Sequence, residues 1–225
     1  MNADWLTTAR QTLPRLIRLL DHLEPTYRFH DVRDVSPEFT AREGIAAVVW
    51  DVDGTLMSYH GTETDPLFVP NLEALASAGV RQAILSNCGE SRFLELGAMF
   101  PDFPIVRGYD LGGERVYRVL HQGVDSLGDG RAKELLGRGA HQVRKPDGPL
   151  LLATLGALGD IDPSTALMVG DQFLTDVATG NLAGARSGKL PAWAKDTFPA
   201  TLRVSQGLER LLYRISRLRG PRRSA

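Results

Sequence analysis

Asp51 and Asp53 stand one residue apart at the end of a short apolar run, Ile45-Ala46-Ala47-Val48-Val49-Trp50, and Gly54-Thr55 follow at once. A run of this length and composition predicts a buried strand. Side chains alternate along a strand, so two carboxylates at i and i+2 share one side of its carboxyl end. Paired carboxylates there suit cation binding and nucleophilic or acid–base work. Burying them without a cation or hydrogen bonds would be costly. Asp-Gly is also a common turn pair, so the stretch by itself can be read as a polar turn.

Three later stretches add to it. Ser86-Asn87 follows a second expected strand, Val80–Leu85; Lys145 precedes Pro146; Gly170-Asp171 closes a further strand, Ala166–Val169, with Asp176 shortly after. Each has a plain reading alone. Ser86-Asn87 can cap the next helix, Lys145 can be solvated, and Gly170-Asp171 can be a turn before a helix. Together they place polar groups after successive strands.

The elements around them must bring those strand ends to one place. Strands are expected at Ile45–Trp50, Val80–Leu85, Phe103–Val106 and Ala166–Val169. Helices are expected at 5–23, Ser36–Arg42, Asn71–Gly79, Glu90–Phe100, after Pro146 through Leu158, at Phe173–Leu182 and at Thr201–Leu218. Alternating strands and helices imply a parallel sheet wound by helices, with ligands bound beyond the carboxyl ends of the strands. Arg107–Val143 is rich in glycine and mixed in charge, with a modest strand signal at Val116–Leu120. Gly188–Phe198 reads as irregular and lacks the apolar strand expected there.

Composition narrows the function classes. The chain has 225 residues, 43% hydrophobic and 24% charged, with net charge -1 and one cysteine, Cys88. That size and balance fit one α/β domain with extensions. Near-zero net charge gives no whole-chain field favouring nucleic acid. A single cysteine excludes an internal disulfide and a cysteine-built zinc site, and suits a reducing compartment. No apolar run is long enough to span a bilayer, and Met1-Asn2-Ala3-Asp4-Trp5 lacks the features of a secretory signal. The expected location is cytoplasmic, with peripheral contact at an inner membrane face as an extension of it.

Asp51-Val52-Asp53-Gly54-Thr55, the strand ending in Ser86, Lys145-Pro146 and Gly170-Asp171-Gln172-Phe173-Leu174-Thr175-Asp176 resemble the four motifs of the haloacid dehalogenase-like (HAD) hydrolase superfamily. The resemblance runs in order from about Ile45 to Gly184. Leu23-Glu24-Pro25-Thr26-Tyr27, Asp34-Val35-Ser36-Pro37-Glu38, Gly180-Asn181 and an arginine-rich last helix are similar to the YqeG-like phosphatases, relatives of phosphatidylglycerophosphate phosphatases. Those usually carry asparagine at the position of Gly54, and their segment between the Ser86 and Lys145 motifs is much shorter.

The resemblance implies a Rossmann-like sheet with a minimal cap or none, and a magnesium-dependent phosphomonoester hydrolase working through an aspartyl phosphate. It implies that Asp51 is the nucleophile and Asp53 the acid–base group. Ser86 and Asn87, with the backbone there, would hold phosphoryl oxygens beside Lys145. Magnesium would lie on Asp51, Asp53 (through its carbonyl) and Asp171, with Asp176 in support. A phosphotransferase using the same intermediate, or a non-catalytic metal- or phosphate-binding module, are the alternatives.

The implied organisation is an N-terminal helix and arm over residues 1–43, a core over 44–200 and a C-terminal helix with basic tail over 201–225. Within the core, 107–143 is an insertion, read either as a small cap or as a surface excursion. Tyr59 and His60 fall where a flap would sit, and Cys88 reads as a small packed residue. Leu208, Leu211, Leu212, Ile215 and Leu218 share a stripe on the last helix, and six arginines between Arg210 and Arg223 surround it. Either the stripe packs on the domain, or the helix lies on an anionic membrane. The expected partners are a small phosphorylated substrate or a phospholipid head group.

Overall fold

The structure, a computed structural model, describes residues 19–218. Among these residues nine strands form one sheet: β1 (Tyr27–Arg28), β2 (Ala47–Trp50), β3 (Arg81–Ile84), β4 (Ile105–Leu111), β5 (Glu114–His121), β6 (Val124–Asp125), β7 (His141–Val143), β8 (Ala166–Gly170) and β9 (Arg186–Lys189). Their spatial order is β1-β9-β8-β2-β3-β4-β5-β6, and β7 also pairs with β4. Neighbours from β1 through β4 are parallel, and β5, β6 and β7 join antiparallel. The helices are α1 (Pro37–Glu43), α2 (Val69–Ser77), α3 (Glu90–Met99), α4 (Asp129–Gly137), α5 (Gly148–Ala157), α6 (Ala178–Leu182) and α7 (Ala200–Leu218). This is the mixed α/β architecture expected, a mostly parallel sheet flanked by helices.

Strand β2 is buried along its whole length, as a central parallel strand must be when helices cover both faces. Val48 and Trp50 pack with Ile84, Leu167 and Val169 against residues of α1, α2 and α3. Val49 packs on the other face with Ala83, Leu85 and Met168 against Leu150, Leu151 and Leu155 of α5. Ser36 caps α1 as expected, its hydroxyl accepting from Phe39 N at 3.2 Å.

Three regions differ from their expectations. First, 107–143 is neither a separate cap nor a surface excursion. It completes β4 and adds β5, β6, α4 and β7, so it widens the sheet and delivers the chain to Lys145. Two of its arginines, Arg107 and Arg118, are buried because they pair. Arg107 and Arg118 reach the two carboxylate oxygens of Glu90 at 2.6 and 3.1 Å, and Arg118 also binds Asp125 at 2.6 Å.

Second, the far side of the sheet is closed by a polar strand. In β9, Ser187 N donates to Thr26 Oγ1 and Thr26 N donates to Ser187 Oγ, both at 3.1 Å. Asn181 joins them by accepting from Ser187 Oγ at 2.9 Å. Hydrogen bonding substitutes for the apolar pattern that marks other strands. Third, Phe173–Leu182 is not one α-helix. Phe173–Val177 is a π-helical turn that runs into α6.

Of the expected first helix, only its end lies in the described region; residues 5–18 and the basic tail 219–225 fall outside it. Leu19, Leu20 and Leu23 pack with Phe173, Val177 and Tyr213.

Candidate active site

Sheet register brings the separated motifs together. Trp50 pairs with both Ile84 and Val169, so β2, β3 and β8 end at one level. Asp51, Ser86 and Asp171 therefore emerge side by side. Lys145 arrives just after β7, where Asn87 clamps its backbone: Lys145 N donates to Asn87 Oδ1 at 2.7 Å, and Asn87 Nδ2 donates to Lys145 O at 2.9 Å. The Asn87 side chain is thus spent on holding Lys145. Asp51, Asp53, Tyr59, Ser86, Asn87 and Lys145 line a cavity of about 210 Å³ together with Gln172 and Thr175.

Two glycines make close approach possible. Gly170 lies against Asp176, whose carboxyl carbon would be 2.2 Å from a Cβ there. Gly54 has φ +83, and a Cβ would meet the Phe198 ring at 2.4 Å. The asparagine usual at this position in YqeG-like proteins would therefore need Phe198 to move.

Three carboxylates converge. Asp51, Asp171 and Asp176 are 6%, 4% and 0% exposed, and each offers an oxygen within 4.8 Å of the others. Lys145 Nζ bridges Asp51 Oδ1 at 2.7 Å and Asp176 Oδ1 at 2.6 Å. Asp176 Oδ2 accepts from Gln172 N at 3.0 Å, so both its oxygens are engaged. Asp171 Oδ2 accepts from Gln206 Nε2 of α7 at 2.8 Å, while Asp171 Oδ1 is buried with no hydrogen-bond partner.

Electrostatics match that crowding. Burial lifts the Asp51 carboxyl to about 7, against the pull of Lys145 and helped by Asp176 and Asp53. Burial also raises Asp171 well above the usual carboxylate range, with the charges of Asp176 and Asp51 adding to it. Burial would lower Lys145, but Asp176 and Asp51 outweigh it and keep the ammonium protonated. A buried oxygen without a donor, beside two further buried carboxylates, fits a hard cation. Asp171 and Asp51, with Asp176 beside them, are the groups that would hold it.

Asp53 stands apart from the three. Its Oδ1 accepts from His60 N at 3.0 Å and from Arg92 Nη2 at 3.3 Å, and no described residue donates to Oδ2. His60 contributes its backbone, not its ring, and its φ of +56 aims that amide. Arg92 is nearly fully buried and also donates to Gly61 O at 2.6 Å. In sequence it reads as an ordinary helix-surface arginine, so nothing there marks it. Cys88 is buried as expected, beside Arg107.

Gln206 and Glu209 also escaped sequence reading, because polar residues on a solvent-exposed helix would look the same. Glu209 Oε1 accepts from Leu174 N at 3.0 Å, at the start of the turn that carries Asp176. Burial pushes its carboxyl up to about 7. A carboxyl raised by folding stabilises the fold below its ordinary value, and that contribution is lost as pH climbs through the raised value. Glu209→Gln keeps an acceptor for Leu174 and removes the titration. Between about pH 5 and about pH 8 its melting temperature should fall less than that of the parent. Parallel melting profiles would contradict this.

Residues 142–188 match the family described as HAD-hydrolase-like. That stretch holds Lys145, Asp171 and Asp176, and the match supports a hydrolase domain of the HAD superfamily. The search of curated proteins gave no match. Among solved structures, an uncharacterized protein from Listeria monocytogenes serotype 4b aligns at 20% identity over 71% of this chain and 98% of that one, with TM-score 0.42.

Proposed function

We propose that this HAD-like hydrolase domain is a magnesium-dependent phosphomonoester hydrolase with Asp51 as nucleophile. The observation that carries the reading is the buried set Asp51, Lys145, Asp171 and Asp176, with Asp171 Oδ1 lacking a donor, and with Asp51 and Lys145 of that set lining a cavity shared with Asp53 and Ser86. When bound, magnesium would supply charge neutralisation for phosphoryl oxygens approaching carboxylates.

The protein's own groups supply the rest. A carboxylate oxygen of Asp51 bonds to phosphorus as the bond to the leaving oxygen breaks, and an acyl phosphate forms. Lys145 holds Asp51 in place and offsets its charge. Asp53 gives a proton to the leaving alkoxide, then takes one from the water that attacks the acyl phosphate. Arg92 and the His60 amide fix one oxygen of Asp53 and leave the other for that transfer. Ser86, which lines the same cavity as Asp51 and Asp53, would bind a phosphoryl oxygen. Resemblance to the YqeG-like phosphatases points to phosphatidylglycerophosphate or a related phosphate as substrate.

The direct test is phosphate release from an aryl phosphate with magnesium and with excess chelator. Release that depends on magnesium supports the reading, and none under either condition sinks it. Asp53→Asn should slow turnover of alkyl phosphates by about 10²–10⁴-fold. Loss in the first step should be smaller for aryl phosphates, whose leaving group needs no proton. Equal losses on both substrate types in the first step would argue against Asp53 as the acid.

A further inference from the structure

Helix α7 carries polar groups inward and apolar groups outward. Gln206, Glu209 and Tyr213 are buried, whereas Val204, Leu208, Leu211 and Leu218 are 73%, 55%, 52% and 87% exposed, and Ile215 is exposed with them. Of the two sequence readings for this helix, packing of its apolar stripe on the domain is not seen among the described residues, where only Leu212 of the stripe is half-buried. The spacing from Val204 to Leu218 puts those five side chains on one stripe. Arg203, Arg210, Arg214 and Arg217 are exposed and form a row along one flank of it. The helix's one acidic residue, Glu209, faces the protein.

An apolar stripe edged by guanidinium groups complements an anionic phospholipid surface, which accepts apolar side chains and pairs phosphates with arginine. A second copy of this stripe facing it antiparallel would instead bring two rows of like charge together. No described helix is long and apolar enough to cross a membrane, so the contact is peripheral.

The inward face of the same helix touches the acidic cluster. Gln206 holds Asp171 Oδ2, and Glu209 holds the turn that carries Asp176. We infer that the outward face of α7 docks on an anionic phospholipid bilayer, and that Gln206 and Glu209 couple this docking to the cation site. The coupling rests on the reading of Asp171 as a cation ligand; the docking does not. Coupling between two binding events is reciprocal, so bilayer and magnesium must tighten each other by the same factor.

The experiment uses the full chain with vesicles of phosphatidylcholine, alone or mixed in equal parts with phosphatidylglycerol. Co-sedimentation is expected only with the anionic vesicles and should weaken with salt. The double variant Leu208→Ser/Leu211→Ser should bind them roughly tenfold or more weakly, with unchanged turnover of a soluble aryl phosphate. Magnesium affinity, read by calorimetry, should rise with anionic vesicles in the parent but not in Gln206→Ala, which still pellets. No pelleting at low salt, or equal pelleting of the double variant, overturns the docking. A dimer that the double variant disperses, or cross-links from residues 1–18 to the stripe without pelleting, gives the stripe another occupant and does the same. Normal magnesium binding indifferent to vesicles overturns the coupling alone. Absent magnesium binding overturns the cation-site reading beneath it.

Discussion

Asp51→Asn will abolish phosphate release while leaving the fold intact. Asparagine has the shape of aspartate, and its amide oxygen can still accept from Lys145 Nζ, 2.7 Å away in the parent. On the proposed mechanism what is lost is the nucleophile, and loss of a nucleophile costs on the order of 10⁴-fold or more in turnover. Burial already raises the Asp51 carboxyl to about 7, so removing its charge does not harm the buried cluster. Melting temperature in chelator should therefore stay within a few degrees of the parent or rise. Steady-state phosphate release and a melting curve check both halves. Turnover near the parental rate would mean that another group attacks phosphorus.

Lys145→Met will damage both stability and catalysis. The ammonium bridges Asp51 and Asp176 at 2.7 and 2.6 Å, and all three groups are buried. Methionine fills much of the same volume but leaves two carboxylates facing each other without a cation. Breaking a buried pair from one side costs about 3–5 kcal/mol. For a chain of this size that is on the order of 10 °C in melting temperature. The direction with pH follows from linkage. Burial already raises the Asp51 carboxyl and Lys145 pulls it down, so without Lys145 it rises further, and the variant should recover stability as pH falls and lose it as pH rises. Added magnesium should restore part of the loss. Unchanged melting in chelator at neutral pH would show that Lys145 does not hold the cluster together.

The central strands and the positions of the acidic groups were legible because they depend on local pattern. The strand patterns at Ile45–Trp50, Val80–Leu85 and Ala166–Val169 are each followed by polar residues, and parallel pairing aligns those ends. Lys145 was legible only jointly with them, since a lysine before proline says little alone. The structure adds why it arrives there: β7 carries the chain in, and Asn87 ties its backbone down.

What pattern missed were polar residues made buriable by distant partners. Arg107 and Arg118 sit inside because Glu90 and Asp125 meet them, so 107–143 could be read as an excursion. Ser187 makes a strand because Thr26 and Asn181 satisfy it. Arg92, Gln206 and Glu209 reach the site from helices on which each looks like an ordinary surface residue. The stripe on α7 shows the opposite failure. Its amphipathic pattern was correct, but pattern does not tell which face a helix turns toward its own domain.

The most direct test of Asp51 as nucleophile is to quench the full chain in acid during turnover with magnesium and a phosphomonoester, then map its peptides. The account predicts a phosphoryl group on the peptide containing Asp51, stable in acid, released by hydroxylamine and absent from Asp51→Asn. Rapid turnover with no phosphoryl group on the protein, or with one at a residue other than Asp51, would contradict it.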